Sequence, residues 1–138
     1  MKRITAIALL AIANFAMAGT SFAQSNGVRA NVPFDFTVGN QLLPAGTYTI
    51  KTESEGLIAI KNHNKPIAVF TLVDRDGAKP PNGGKLMFHK YGNQYFLSEI
   101  LCSWTDMNVS VRPSKAEKRV QLQQAMVHPN SEVFIAAR

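Results

Sequence analysis

KLMFHKYGNQYFLSEILC, residues 85–102, is the stretch on which the fold turns. Two apolar runs meet at Gly92-Asn93, a pair suited to a two-residue hairpin turn, with Gly taking the positive φ of the first central position. With those two residues in the turn, Tyr91 faces Gln94, Lys90 faces Tyr95, His89 faces Phe96, Phe88 faces Leu97 and Met87 faces Ser98. Strand alternation then puts Leu86, Phe88, Tyr95, Leu97 and Leu101 on one face, and Met87, Tyr91, Phe96, Ile100 and Cys102 on the other. A ribbon that is apolar on both faces must be covered on both. The hairpin is therefore expected at the centre of the fold.

Upstream, ANVPFDFTV (residues 30–38) alternates, with Ala30, Val32, Phe34, Phe36 and Val38 sharing one side. Pro33 lacks the ladder donor and places this strand at an edge or delays its start. Gly39-Asn40 and Leu43-Pro44-Ala45-Gly46 read as turns. TYTIKT (47–52) follows with Tyr48 and Ile50 buried, then LIAIK (57–61). IAVFTLV (67–73) is nearly continuous in apolar residues, as in a central strand. DRDGAKPPNGG (74–84) is a surface loop. After the hairpin, Trp104 is expected at one end of the core and residues 109–112 as a short strand. Ser114-Lys115-Ala116-Glu117 fits a capping box opening a helix over about 115–126. Its inner line is Ala116, Val120, Gln123 and Val127, and Pro129 ends it. SEVFIAA (131–137) reads as a last strand or a loose tail, with Val133, Phe134 and Ile135 favouring the strand. Short strands with turns between them imply a mainly β fold, an antiparallel β-sandwich or small barrel of about seven to eight strands with one C-terminal helix.

The ends bound location and class. Residues 1–23 have the layout of a signal peptide: a basic start at Lys2 and Arg3, an apolar run over 4–18, and Ser21-Phe22-Ala23 with small residues before the cleavage point. The run is short for a membrane span of about 20 residues. Cleavage after Ala23 leaves one β domain over 24–138, destined for the periplasm or the extracellular space, with no later run apolar enough to cross a bilayer. It keeps thirteen Lys and Arg against nine Asp and Glu, a net charge of +4. That permits weak attraction to anionic envelope surfaces and does not indicate nucleic acid. A single cysteine, Cys102, allows no internal disulfide and is expected as a small buried apolar side chain.

VPFDFTVGNQLLPAGTYTI (32–50), KLMFHKYGNQYFLSEI (85–100) and PSKAEK (113–118) together resemble a group of small exported acidobacterial proteins of unassigned function. The resemblance implies a shared fold and export. It brings no catalytic residue with it.

Motifs for chemistry are sparse. His63, His89 and His128 are far apart and share no ligand spacing with each other or with Cys102. Asp74-Arg75-Asp76-Gly77 is half a calcium loop without its later Glu, better read as a turn. Gly83-Gly84-Lys85 lacks the spacing of a phosphate loop, and no cofactor motif is present. Asn108-Val109-Ser110 is a formal glycosylation match only. No glycine-framed serine stands out as a nucleophile, and nothing fixes the separation of Glu99 and Asp106. Three residues remain as candidates for contact with a ligand: His89 and Tyr91 on the hairpin, and Glu99, which the register sets opposite Leu86 on an apolar side. Arg112, Lys115, Lys118 and Arg119 form the densest charge, at a helix start where cations oppose the dipole. They are the candidates for a surface contact. The expectation is an exported, non-enzymatic domain with a structural or binding role in the envelope. The alternative is a carrier of a small apolar ligand inside a barrel, against Met87 and Phe96. An enzyme using Glu99, His89 or Tyr91 ranks third.

Overall fold

A computed structural model describes residues 27–77, 79, 82–105, 107–125 and 131–138. The expectations for the signal peptide, Asp106, the Val127 and Pro129 end of the helix, and His128 lie outside the described residues. Among the described residues, ten strands and one helix form: β1 Gly27–Val32, β2 Phe36–Val38, β3 Gln41–Leu43, β4 Gly46–Ser54, β5 Leu57–Asn62, β6 Ala68–Arg75, β7 Gly84–Tyr91, β8 Gln94–Cys102, β9 Met107–Val111, α1 Lys115–Gln124 and β10 Ser131–Ala137.

Eight strands close into a barrel in the order β8-β7-β10-β1-β4-β5-β6-β9, with β9 hydrogen-bonded back to β8. Every pairing around this ring is antiparallel. The fold is mainly β, and of the two expected architectures the barrel is the one formed. The β2–β3 hairpin is additional. Its β2 runs parallel to β8 at Thr37↔Phe96, on the edge that β9 leaves free below Glu99.

A barrel of about eight strands is just wide enough for its own side chains to fill. Alternation supplies the filling. Val28, Ala30 and Val32, Tyr48 and Ile50, Ile58 and Ile60, and Leu86 and Phe88 all point inward. Phe36, Val38 and Leu43 of the extra hairpin join them, with the Phe36 ring edge-on to Tyr48 at 5.1 Å and to Phe88 at 5.4 Å. The buried Tyr48 hydroxyl donates to the Pro44 carbonyl at 2.6 Å, so its one polar atom is satisfied. Cys102 is a free thiol within this core, as expected.

The central hairpin forms as read, with Gly92 at φ 60° and four of the expected pairs from Tyr91↔Gln94 to Phe88↔Leu97. Beyond them a bulge inserts Ser98, so Met87 faces Glu99 and Leu86 faces Ile100. The extra residue moves everything after it to the opposite side. Ile100 and Cys102 therefore point inward with Leu86, Phe88 and Leu97, and Leu101 points outward. Met87 and Phe96 do not line the interior: alternation from Phe88 and Leu97 turns both outward.

Other expectations are corrected by local causes. The 30–38 run splits at Pro33 into a barrel strand and the added β2, leaving Phe34 between them and stacked on Tyr95 at 4.0 Å. β6 is not a doubly covered strand. Val69 and Val73 face inward while Phe70 and Leu72 are 58% and 57% exposed, because a barrel wall has only one dry side. Trp104 is half exposed and lies across Gly84, where an added Cβ would meet the indole at 2.5 Å. The last strand, β10, is well placed inside the ring, paired along its whole length with β7.

That placement of β10 explains the helix. The chain leaves β9 beside β8 and re-enters beyond β7, so α1 must cross the outside of both hairpin strands.

Candidate functional site

The crossing helix covers the outer face of the hairpin, where alternation places His89, Tyr91 and Phe96. Tyr91 and Phe96 are each 3% exposed, with their rings 5.7 Å apart. The residue that α1 presses onto them is a carboxylate. Glu117 is buried, and its Oε1 lies 2.9 Å from Nδ1 of His89. The Tyr91 phenol lies beside the same carboxylate. Burial pushes the phenol above its usual range, and the adjacent Glu117 carboxylate pushes it further.

The capping box accounts for half of this arrangement. Ser114 accepts from the Glu117 N–H at 3.1 Å, closing the first turn as the sequence predicts. The Glu117 side chain does not return the favour: it points down to His89. A carboxylate in the first turn also suits the helix dipole. Glu117, Val120 and Gln124 thus form the seated line in place of Ala116, Val120 and Gln123, and Leu122 is 72% exposed. The spacing of three and four from Glu117 to Val120 to Gln124 was available in the sequence, but a carboxylate and an amide are not the residues that an apolar face selects.

His89 and Tyr91 are therefore brought together, by a residue that sequence reading had assigned to capping. Glu99 sits nearby on the same outer face but does not join them. Burial raises its pKa, Asp76 and Glu132 raise it further, and His89 and Lys85 partly offset this. It faces Met87 and Ser110 across the strands, not Leu86. The four basic residues separate as well. Arg112 is committed to Asp74 by two hydrogen bonds of 2.8 and 2.6 Å, tying the end of β9 to β6. The guanidinium holds the Asp74 carboxyl below its ordinary value. Lys115, Lys118 and Arg119 remain exposed on α1.

Chemically, the Glu117–His89–Tyr91 set fixes a tautomer. With the Nδ1 proton directed at the carboxylate, neutral His89 presents Nε2 as an acceptor. Among the described residues, no group of three or more His, Cys, Asp or Glu is placed to hold a metal. Alongside the set, between Leu42 of β3 and Ala116 of α1, an open groove of about 480 Å³ runs over Tyr95 and Phe96, edged by Asp35, Asn40, Asn93 and Gln94. Comparison with protein-family models, curated proteins and solved structures finds no match.

Proposed function

We propose that the chain is exported, loses residues 1–23, and works in the cell envelope as a binding or structural domain whose contacts lie on the outside of the barrel. The observation that carries this reading is the occupied interior. Tyr48, Phe36, Phe88, Leu43, Ile50 and Ile58 are all less than 2% exposed and fill the space that an interior ligand needs. Small-molecule pockets are about 300 Å³ or more, and an eight-stranded wall closed around its own aromatics does not offer that volume. The outer groove beside α1 does, and the exposed cations Lys115, Lys118 and Arg119 favour approach to an anionic surface. Nδ1 of His89 is spent on seating the helix, which favours binding over catalysis. The layout of residues 1–23 and the resemblance to small exported acidobacterial proteins support the location.

Mass spectrometry of the protein purified natively from its own host tests both parts. The expected species begins at Gln24 and carries no stoichiometric apolar small molecule. Retention of residues 1–23 would overturn export, and a retained apolar ligand would restore the interior carrier.

A further inference from the structure

Between β1 and β10 the barrel closes by a short seam. Its ladder has one pair, Ala30↔Ala137, followed by reciprocal backbone hydrogen bonds of 2.8 Å between Arg29 and Arg138. Elsewhere β1 pairs with β4 through six residues and β10 with β7 through seven. Because Ala30 and Ala137 face the core, Arg29 and Arg138 both face out, directly opposite each other. Two like charges in that position repel and weaken the pairing. No carboxylate among the described residues forms an ion pair with either arginine. A third cation lies close: Lys51 pairs with Gly27, and its stem passes so near that a Cβ on Gly27 would sit 3.0 Å from it. Gly27, Arg29 and Arg138, with Asn31 and Thr47, line an open groove of about 680 Å³ along the seam.

We infer that this groove is a binding site for a phosphate-bearing ligand, held between the guanidiniums of Arg29 and Arg138. Guanidinium forks match phosphate oxygens two at a time, and an anion between the two arginines converts their repulsion into a clamp across the closure. Asn31 and Thr47 supply neutral hydrogen-bond partners at the margin, and the size of the groove leaves room for whatever carries the phosphate. The inference deepens the reading of an outward-facing binding domain and does not depend on export. Arg112 is unsuited to the same work because Asp74 already occupies its fork.

The test is titration of the folded chain with inorganic pyrophosphate, against sodium chloride of matched ionic strength, followed by backbone NMR shifts and thermal midpoint. Pyrophosphate is expected to shift the amides of β1 and β10 and to raise the midpoint beyond the chloride control. Arg29→Gln and Arg138→Gln should each bind about tenfold more weakly, and Arg112→Gln should bind as the parent does. A parallel arm with phosphatidylglycerol vesicles separates a lipid headgroup from free phosphate: co-sedimentation lost in Arg29→Gln assigns the headgroup, and binding of pyrophosphate alone assigns the soluble form. Absence of any response in the parent chain to either probe, or a response in the two seam variants as strong as the parent's, overturns the site. Neither result bears on signal-peptide cleavage or on the filled interior, so the two readings fail separately.

Discussion

The two faces of the β7–β8 hairpin are made from the same eighteen-residue stretch and could hardly differ more. Inside, Leu86, Phe88, Leu97, Ile100 and Cys102 meet only other apolar groups. Outside, His89, Tyr91 and Phe96 meet a helix through a buried carboxylate. The inner face is held by area removed from water and tolerates no polar atom without a partner. The outer face is held by a few directional contacts, each of which can be replaced. Stability should therefore fall steeply with changes on the first face and in a localised, pH-dependent way on the second.

The largest effect separates them directly. Phe88→Ala leaves a cavity in the filled interior and should cost about 3–5 kcal/mol in urea unfolding, lowering the whole barrel together. Glu117→Ala should cost less, about 1–3 kcal/mol, because it leaves Nδ1 of His89 without its buried partner. Its mark is local: amide exchange in α1 should quicken while the β-strands stay protected. Equal loss of protection throughout would erase the distinction. Ser114→Ala removes the N-cap and should cost about 1 kcal/mol, again concentrated in α1.

Smaller still are the pH effects. The raised Tyr91 phenol keeps its proton in the folded chain where the unfolded chain has lost it, above the usual 10.0. The folded state then binds more protons, so stability is unaffected below that value and declines as pH rises through the raised one. Tyr91→Phe should make the alkaline decline shallower, and the residual slope belongs to Tyr48, which burial also raises. Glu99 follows the same sign from 4.5 upward: burial makes its ionised form a burden on the folded chain. Glu99→Gln should raise the midpoint slightly at pH 7 and lose that advantage in acid.

The sequence made the inner face legible and the outer one only in part. Alternation and the Gly92-Asn93 turn located the hairpin, its first four pairs, and the inward line of β4. Alternation breaks at Ser98-Glu99, where three positions instead of two separate inward Leu97 from Ile100, and that spacing is the trace of the bulge. Strict alternation carried past it placed Ile100, Cys102 and Leu101 on the wrong sides and Glu99 opposite the wrong partner. In β6 the apolar run hid the single-sidedness of a barrel wall, since Phe70 and Leu72 are exposed without any polar marker. His89 and Tyr91 were legible as polar groups on a ribbon that needed covering. Glu117 was not, because the partner that buries it is 28 residues away and depends on where β10 enters the sheet. The arginine pair at the seam was invisible for the same reason: Arg29 and Arg138 meet only once the ring is closed.

Native-state hydrogen exchange on residues 86–89 of β7 is the most direct trial, since that strand is paired on both edges and covered on both sides. Protection at the level of global unfolding, unchanged in Glu117→Ala, is the predicted result. Exchange of those amides within seconds in the parent chain would mean that the hairpin is not enclosed, and the filled barrel with its outward-facing contacts would not stand.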